Sequence, residues 1–200
     1  MSSRHPGSRF TRTQRLAKRA LDLAVGIPLT LVAFPLMALL ALAVRLTSPG
    51  PVLFKQPRMG EGGRLFGMFK LRTMRAEFAD PSGVEPKHPD DPRVTSVGRW
   101  LRRTSLDELP QLLNVLGGEM SLVGPRPELP VNVLRYHPWQ NERFAVPQGM
   151  TGWWQIQGRK QPMYRYTRED LYYVRRCSFW QDLKILIVTP LAVLRGDGAY

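Results

Sequence analysis

The chain has 200 residues, 22% of them charged and 43% hydrophobic. That composition excludes a disordered polymer and suits one domain with an attached tail or membrane segment. Lys and Arg number 29 against 16 Asp and Glu, a formal charge of +13; such an excess points to nucleic acid, an anionic membrane surface or a phosphate-rich substrate. Cys177 is the only cysteine, which excludes disulfide frameworks and cysteine-based zinc sites. A reducing, cytoplasmic setting is expected for the polar part.

Residues 1–19 form a basic flank, with Arg4, Arg9, Arg12, Arg15, Lys18 and Arg19. Residues 20–46 read as a membrane segment. Leu23 to Val44 carries no charge, and as a helix it would extend roughly 33 Å, against about 30 Å of bilayer hydrocarbon. A secretory signal fits poorly, because Arg45-Leu-Thr-Ser-Pro-Gly-Pro follows directly instead of a small-residue cleavage site. Pro28 and Pro35 fall nearly on one helical face, and each removes an amide donor. Thr30 is near enough in sequence to help satisfy the freed backbone. Beyond the segment come Arg45, Lys55, Arg58, Arg64, Lys70, Arg72 and Arg75, opposed only by Glu61. Positive flanks favour the cytoplasmic side, and a straight span cannot place both there. A re-entrant helix broken near Pro35 can.

Residues 47–200 make up the polar domain. Pro51–Gln56 and Arg64–Met74 read as extended segments around the turn Gly60-Glu-Gly-Gly. Alternation in the second puts Phe66, Met68, Lys70 and Arg72 on one face, where the two cations meet a phosphate or line a solvated edge. Ala76–Pro92 reads as a mobile loop, and its His88, Asp90 and Asp91 lack the spacing of a metal site. Gly98–Arg103 is expected to be helical. Leu109, Leu112, Leu113 and Leu116 recur at helical spacing until Gly117-Gly118. Ser121–Pro127 reads as a constrained loop. Leu183–Leu194 is apolar but too short to span, and suits an interfacial helix or one packed on the core.

Asp107-Glu108 is the sharpest feature. One reading is a capping box from Ser105 to Glu108; the other starts the helix later, with Pro110 as its first residue. In either register the helix N-terminus favours ionised acids, as a carboxylate nucleophile requires. Arg126, between Pro125 and Pro127, is a cation on a stiffened loop: a pyrophosphate clamp or an ordinary exposed turn residue. Arg102 and Arg103 lead towards Asp107. Phosphate-binding, dinucleotide and zinc-protease motifs are absent from the sequence.

Several stretches in this order resemble one family: Lys18-Arg19-Ala-Leu-Asp22; the Pro35-bearing helix; Ser48-Pro-Gly-Pro-Val-Leu-Phe-Lys-Gln56; Lys70-Leu-Arg-Thr-Met74; Ser105-Leu-Asp-Glu-Leu-Pro-Gln-Leu-Leu-Asn-Val-Leu116; Met120-Ser-Leu-Val-Gly-Pro-Arg-Pro127; and Thr151-Gly-Trp-Trp-Gln-Ile-Gln-Gly-Arg159. They resemble the bacterial sugar transferases, the small monotopic phosphoglycosyl transferases. The pair L-D-E-L-P-Q-L-x-N and M-S-L-V-G-P-R-P is the specific part, and it favours catalysis over capping alone. The resemblance implies a mixed α/β fold, mostly helical, with a re-entrant membrane helix, interfacial amphipathic helices and a small antiparallel sheet. It implies transfer of a sugar 1-phosphate from a UDP-sugar to polyprenyl (undecaprenyl) phosphate, with release of UMP, on the cytoplasmic face of the bacterial inner membrane. Carried over, Asp107 is the nucleophile and Glu108 its partner, as a Mg²⁺ ligand or in positioning. Arg126 binds nucleotide phosphate and Arg102 the lipid phosphate, while Lys70, Arg72, Gln155 and Arg159 line the rest. Mg²⁺ is the implied cofactor, and membrane lipids, not nucleic acid, are the implied surroundings. Phe34 replaces the Ser usual before the helix-breaking proline, and Trp154 and Gln157 depart from the family's Ala and Asn. The short chain resembles the family's minimal cores, which often take N-acetylated amino sugars. A basic nucleic-acid module and a non-catalytic membrane anchor are the rival readings.

Overall fold

The computed structural model describes residues 10–78, 91–157 and 167–194. Arg159, His88 and Asp90 lie outside them. Helix α1 (Arg12–Thr47) opens with a capping box in which the Thr11 hydroxyl accepts from the Gln14 amide and the Gln14 side chain accepts from the Thr11 amide. Its buried residues are Lys18, Asp22, Gly26, Thr30, Ala33, Met37, Leu40 and Val44, one stripe at intervals of three or four. The opposite side exposes Leu31, Val32, Phe34, Leu39 and Leu42. An apolar face of that extent is stable against hydrocarbon rather than water. Among the described residues α1 is the one helix long and apolar enough to cross a membrane.

Pro28 and Pro35 both lie inside α1. The break expected near Pro35 therefore takes the form of missing amide donors within one helix, not of two separate helices. Thr30 also acts differently from expectation. Its hydroxyl donates to Gly26 O at 2.7 Å, a bond back along its own turn, whereas the carbonyls opposite the two prolines are those of Ala24 and Leu31.

Strands β1 (Leu53–Met59) and β2 (Leu65–Leu71) pair antiparallel, from Leu53 opposite Leu71 to Met59 opposite Leu65. The turn between them uses Gly62 and Gly63 at φ 65° and 75°, a region open to glycine. Helix α2 (Ser96–Thr104) is capped by Thr95, and its Leu101 packs with Leu40, Val44 and Leu71. Helix α3 (Gln111–Gly117) lies between α1 and β2. Strand β3 (Ser121–Val123) pairs in parallel with β4 (Gly149–Thr151), and between them lie α4 (Pro130–Val133) and the 3₁₀ segment Pro138–Ala145. The loop expected at Ser121–Pro127 thus begins as a strand, and a second, parallel pair joins the expected antiparallel one. Helices α5 (Trp153–Ile156), α6 (Thr167–Arg176) and α7 (Phe179–Leu194) complete the order. Phe179, Trp180, Ile187, Leu191 and Val193 of α7 are exposed while Ile185 enters the core, the distribution of an interfacial helix.

Polar residues fasten α1 to this domain. Asp22 Oδ1 accepts from Ser121 Oγ at 2.8 Å and from Leu122 N at 2.9 Å. Lys18 Nζ donates to Val123 O and to Asp182, both at 2.7 Å. Arg19 donates to Val115 O at 2.5 Å and Leu116 O at 2.6 Å, meeting the open carbonyls at the end of α3.

Candidate active site

Helix α2 ends at Ser105, whose φ of 56° is the only positive value outside glycine among the described residues. This left-handed residue turns the chain sharply, a conformation that costs energy in a non-glycine residue. The chain then enters a 3₁₀ turn, Leu106–Glu108, that packs against α2 and β2. Ser105 makes no side-chain cap to this turn, so the capping-box register is not the one adopted. Pro110 instead occupies the N-cap of α3, one residue before the helix proper. Asp107 is buried on the turn.

Glu108 stands beside it and gathers two cations. Lys70 Nζ lies 3.3 Å from Glu108 Oε1. Arg126 adds a fork, with Nη1 on Oε2 at 3.1 Å and Nη2 on Oε1. The turn, β2 and the Pro125–Pro127 loop therefore converge on the Glu108 carboxylate, next in sequence to the buried Asp107.

Two further elements hold that arrangement. Asn114, fully buried on α3, accepts from Phe69 N at 2.9 Å and donates to Gly67 O at 2.8 Å and to Glu119 at 2.7 Å. It fixes β2 against α3, and with it the height of Lys70 over Glu108. The Arg126 loop is set by backbone: Gly124 N donates to Thr151 O and Gly149 N to Pro125 O, both at 2.9 Å. Gly152 lies so close that an added Cβ would stand 2.2 Å from Gly124 O.

The other expected site residues separate. Lys70 and Arg72 do not share a target: Arg72 turns away past the end of β2 and donates to Pro49 O and Ser48 O, each at 2.6 Å. Burial, then the neighbouring Arg45 cation, lowers the Arg72 pKa below its ordinary value. Arg102 Nε donates to Thr73 Oγ1 at 2.8 Å, at the side of the site where α2 meets the C-terminal half of α1. Gln155 is buried, with Nε2 on Met150 O at 2.7 Å and no hydrogen-bond partner on Oε1. Asp22 enters the sequence analysis only within a matching stretch and without a role, although an acid at the mouth of an apolar segment is a readable signal. Arg143, fully buried and paired with Asp170 at 2.7 Å, carries no such local signal.

Among the described residues no group of three or more His, Cys, Asp or Glu could hold a metal. Asp107 and Glu108 supply two adjacent carboxylates. That donor set suits Mg²⁺, which is bound through one or two carboxylates and substrate phosphates rather than a protein cage.

The chain is 46% identical over 188 residues to an undecaprenyl-phosphate glucose phosphotransferase of Komagataeibacter xylinus, covering 87% of this chain and 35% of that protein. It is 43% identical over 194 residues to a UDP-glucose:undecaprenyl-phosphate glucose-1-phosphate transferase of Caulobacter vibrioides, with 92% and 72% covered. An undecaprenyl-phosphate galactose phosphotransferase of Salmonella typhimurium is 40% identical over 209 residues, with 94% and 43% covered. The chain thus spans well under half of two of these relatives and nearly three quarters of the third. The sequence profile of the bacterial sugar transferases matches residues 13–196, and the chain belongs to that family.

Proposed function

We propose that the protein transfers a sugar 1-phosphate from a UDP-sugar to polyprenyl phosphate. The observation that carries this reading is the buried Asp107 beside a Glu108 clasped by Lys70 and Arg126. A diphosphate entering there meets cations already aimed at an anion, with Asp107 poised as nucleophile. Asp107 attacks the β-phosphorus; a new O–P bond forms, the bond to the α-phosphate oxygen breaks, and UMP leaves. An oxygen of polyprenyl phosphate then attacks the same phosphorus, and the bond to Asp107 breaks to regenerate the carboxylate. Arg126 and Lys70 bind phosphate oxygens, and Arg102, on the side nearest α1, receives the lipid phosphate. Asp107 or Glu108 would hold Mg²⁺ together with the diphosphate, and the ion would supply further neutralisation of negative charge.

The exposed face of α1 and the outward aromatics of α7 support a site at headgroup level, where a water-soluble nucleotide and a membrane lipid meet. The basic flanks support the cytoplasmic face of the inner membrane. The relatives are named for glucose and galactose rather than amino sugars, so UDP-glucose and UDP-galactose are the first donors to test. Purified protein with Mg²⁺, undecaprenyl phosphate and either donor is expected to release UMP, and Asp107→Asn to abolish release. Mass spectrometry of the protein with donor alone is expected to show a phosphosugar on Asp107. Release of UDP would overturn the mechanism, and salt-dependent binding of DNA with no turnover would support the nucleic-acid rival.

A further inference from the structure

Arg143 is the largest fully buried side chain of the described residues. A guanidinium without water needs anions and acceptors on every side. Here Nη2 lies 2.7 Å from Asp170 Oδ2, Nη1 donates to Tyr136 Oη at 2.6 Å, and Glu128 Oε2 is 3.7 Å away. The rings of Tyr136 and Phe144 stand 5.9 and 5.7 Å from its central carbon. One further bond leaves this cluster: Nη2 donates at 2.8 Å to the backbone carbonyl of Arg126. Burial works against the charge of Arg143, but Asp170, Tyr136 and Glu128 outweigh it and raise its pKa above the ordinary value.

Replacing such a network by apolar side chains is often neutral or stabilising, so stability alone is a poor reason for its presence. Its geometry has a more specific product. The same network secures the residues after Arg126. Glu128 accepts from Leu129 N at 2.8 Å, from Asn132 Nδ2 at 2.9 Å and from Tyr136 Oη at 3.1 Å. Its carbonyl accepts from Met59 N at 2.8 Å, and Arg58 reaches Pro127 O at 3.3 Å. We infer that Arg143 is a positioning residue: it fixes the Arg126 backbone so that the Arg126 guanidinium meets the phosphate of the nucleotide. This rests on the phosphate-binding role proposed for Arg126.

The test compares Arg143→Lys with the apolar pair Arg143→Met/Asp170→Leu, which removes the carbonyl donor without leaving Asp170 charged and alone. UMP affinity is measured by equilibrium dialysis in detergent, with unfolding midpoints recorded beside it. Folded variants are expected to bind UMP at least about tenfold more weakly, the scale of a lost hydrogen bond from a charged donor. In an Arg126→Ala background the same changes are expected to add nothing, because their effect passes through Arg126. Unchanged affinity in a folded variant, or full additivity with Arg126→Ala, would overturn the inference. If the unaltered protein fails to bind UMP, the nucleotide reading falls by itself. Amide hydrogen exchange then decides about Arg143: faster exchange at Gly124, Arg126 and Glu128, with α3 unchanged, supports positioning, and unaltered exchange refutes it.

Discussion

Arg126 grips Glu108 with both prongs of its guanidinium, one nitrogen on each carboxylate oxygen. The carboxylate thus fills the fork that a phosphate would fill, since both anions offer paired oxygens to the same planar donor. Lys70 shares one of these oxygens, so Glu108 also keeps two cations apart.

Neutralising that carboxylate leaves Lys70, which is almost fully buried, facing Arg126 across an amide. Glu108→Gln is expected to lower unfolding free energy by about 1–3 kcal/mol, read from denaturant titration in detergent micelles. Adding Lys70→Met should recover part of the loss, because removing both buried charges costs less than removing one. Simple additivity of the two changes would contradict this account.

Asn114 offers a test of how Lys70 is placed. Asn114→Ala strands the Phe69 amide and the Gly67 carbonyl, and about 2–4 kcal/mol of stability should be lost. UMP release should fall with it at temperatures where the variant remains folded, since β2 then no longer holds Lys70 at Glu108. A stable, fully active Asn114→Ala would show that β2 is held by other contacts.

Gly152 tests close backbone approach in the absence of strain. Its φ of −168° is open to any residue, so a methyl group is excluded by neighbours rather than by backbone conformation: foremost the Gly124 carbonyl, then Gln155 Oε1. Gly152→Ala should destabilise by about 1–3 kcal/mol through forced displacement of the Arg126 loop, and UMP affinity should drop with it. Calorimetry and dialysis on the same preparation would separate the two effects.

Leu39 and Leu40 are neighbours in sequence with opposite surroundings. Leu40 is 7% exposed and packs with Leu71 and Leu101, whereas Leu39 is 66% exposed. In micelles Leu40→Ala should cost about 2–5 kcal/mol and Leu39→Ala less than about 0.5 kcal/mol. Leu39→Lys, by contrast, should weaken retention in carbonate-washed membranes while leaving the domain folded. Equal losses of stability at the two positions would mean that α1 does not pack on the domain through this stripe.

The contrast between these positions also shows what the sequence displays and what it hides. Contiguous chemistry is legible: Asp107 and Glu108 adjoin, and the start of α3 falls within one residue of the Pro110 register. The capping box is misleading because Ser105 terminates α2 in a left-handed turn, and that geometry takes its side chain away from the next turn's amides. Alternation pairs Lys70 with Arg72, yet β2 ends at Leu71, and the pattern has no force beyond the strand. Parallel pairing of β3 and β4 is invisible for a different reason. Each strand has three residues, too few for a period, and its partner lies beyond α4 and a long 3₁₀ segment. The uninterrupted α1 is similarly unreadable: proline signals lost donors, but neighbouring packing decides whether a helix tolerates the loss.

Three successive residues of β3 lean on two side chains of α1: Ser121 and Leu122 on Asp22, and Val123 on Lys18. Helix α1 and the domain it packs on are therefore not separable modules. Deleting residues up to Thr47 would open the edge of β3 and bare Leu71, Leu101 and Val115 to water, and aggregation is the expected product. A water-soluble form is better sought by repainting the outward row of Leu31, Val32, Phe34, Leu39 and Leu42 with polar side chains, leaving the inward stripe intact.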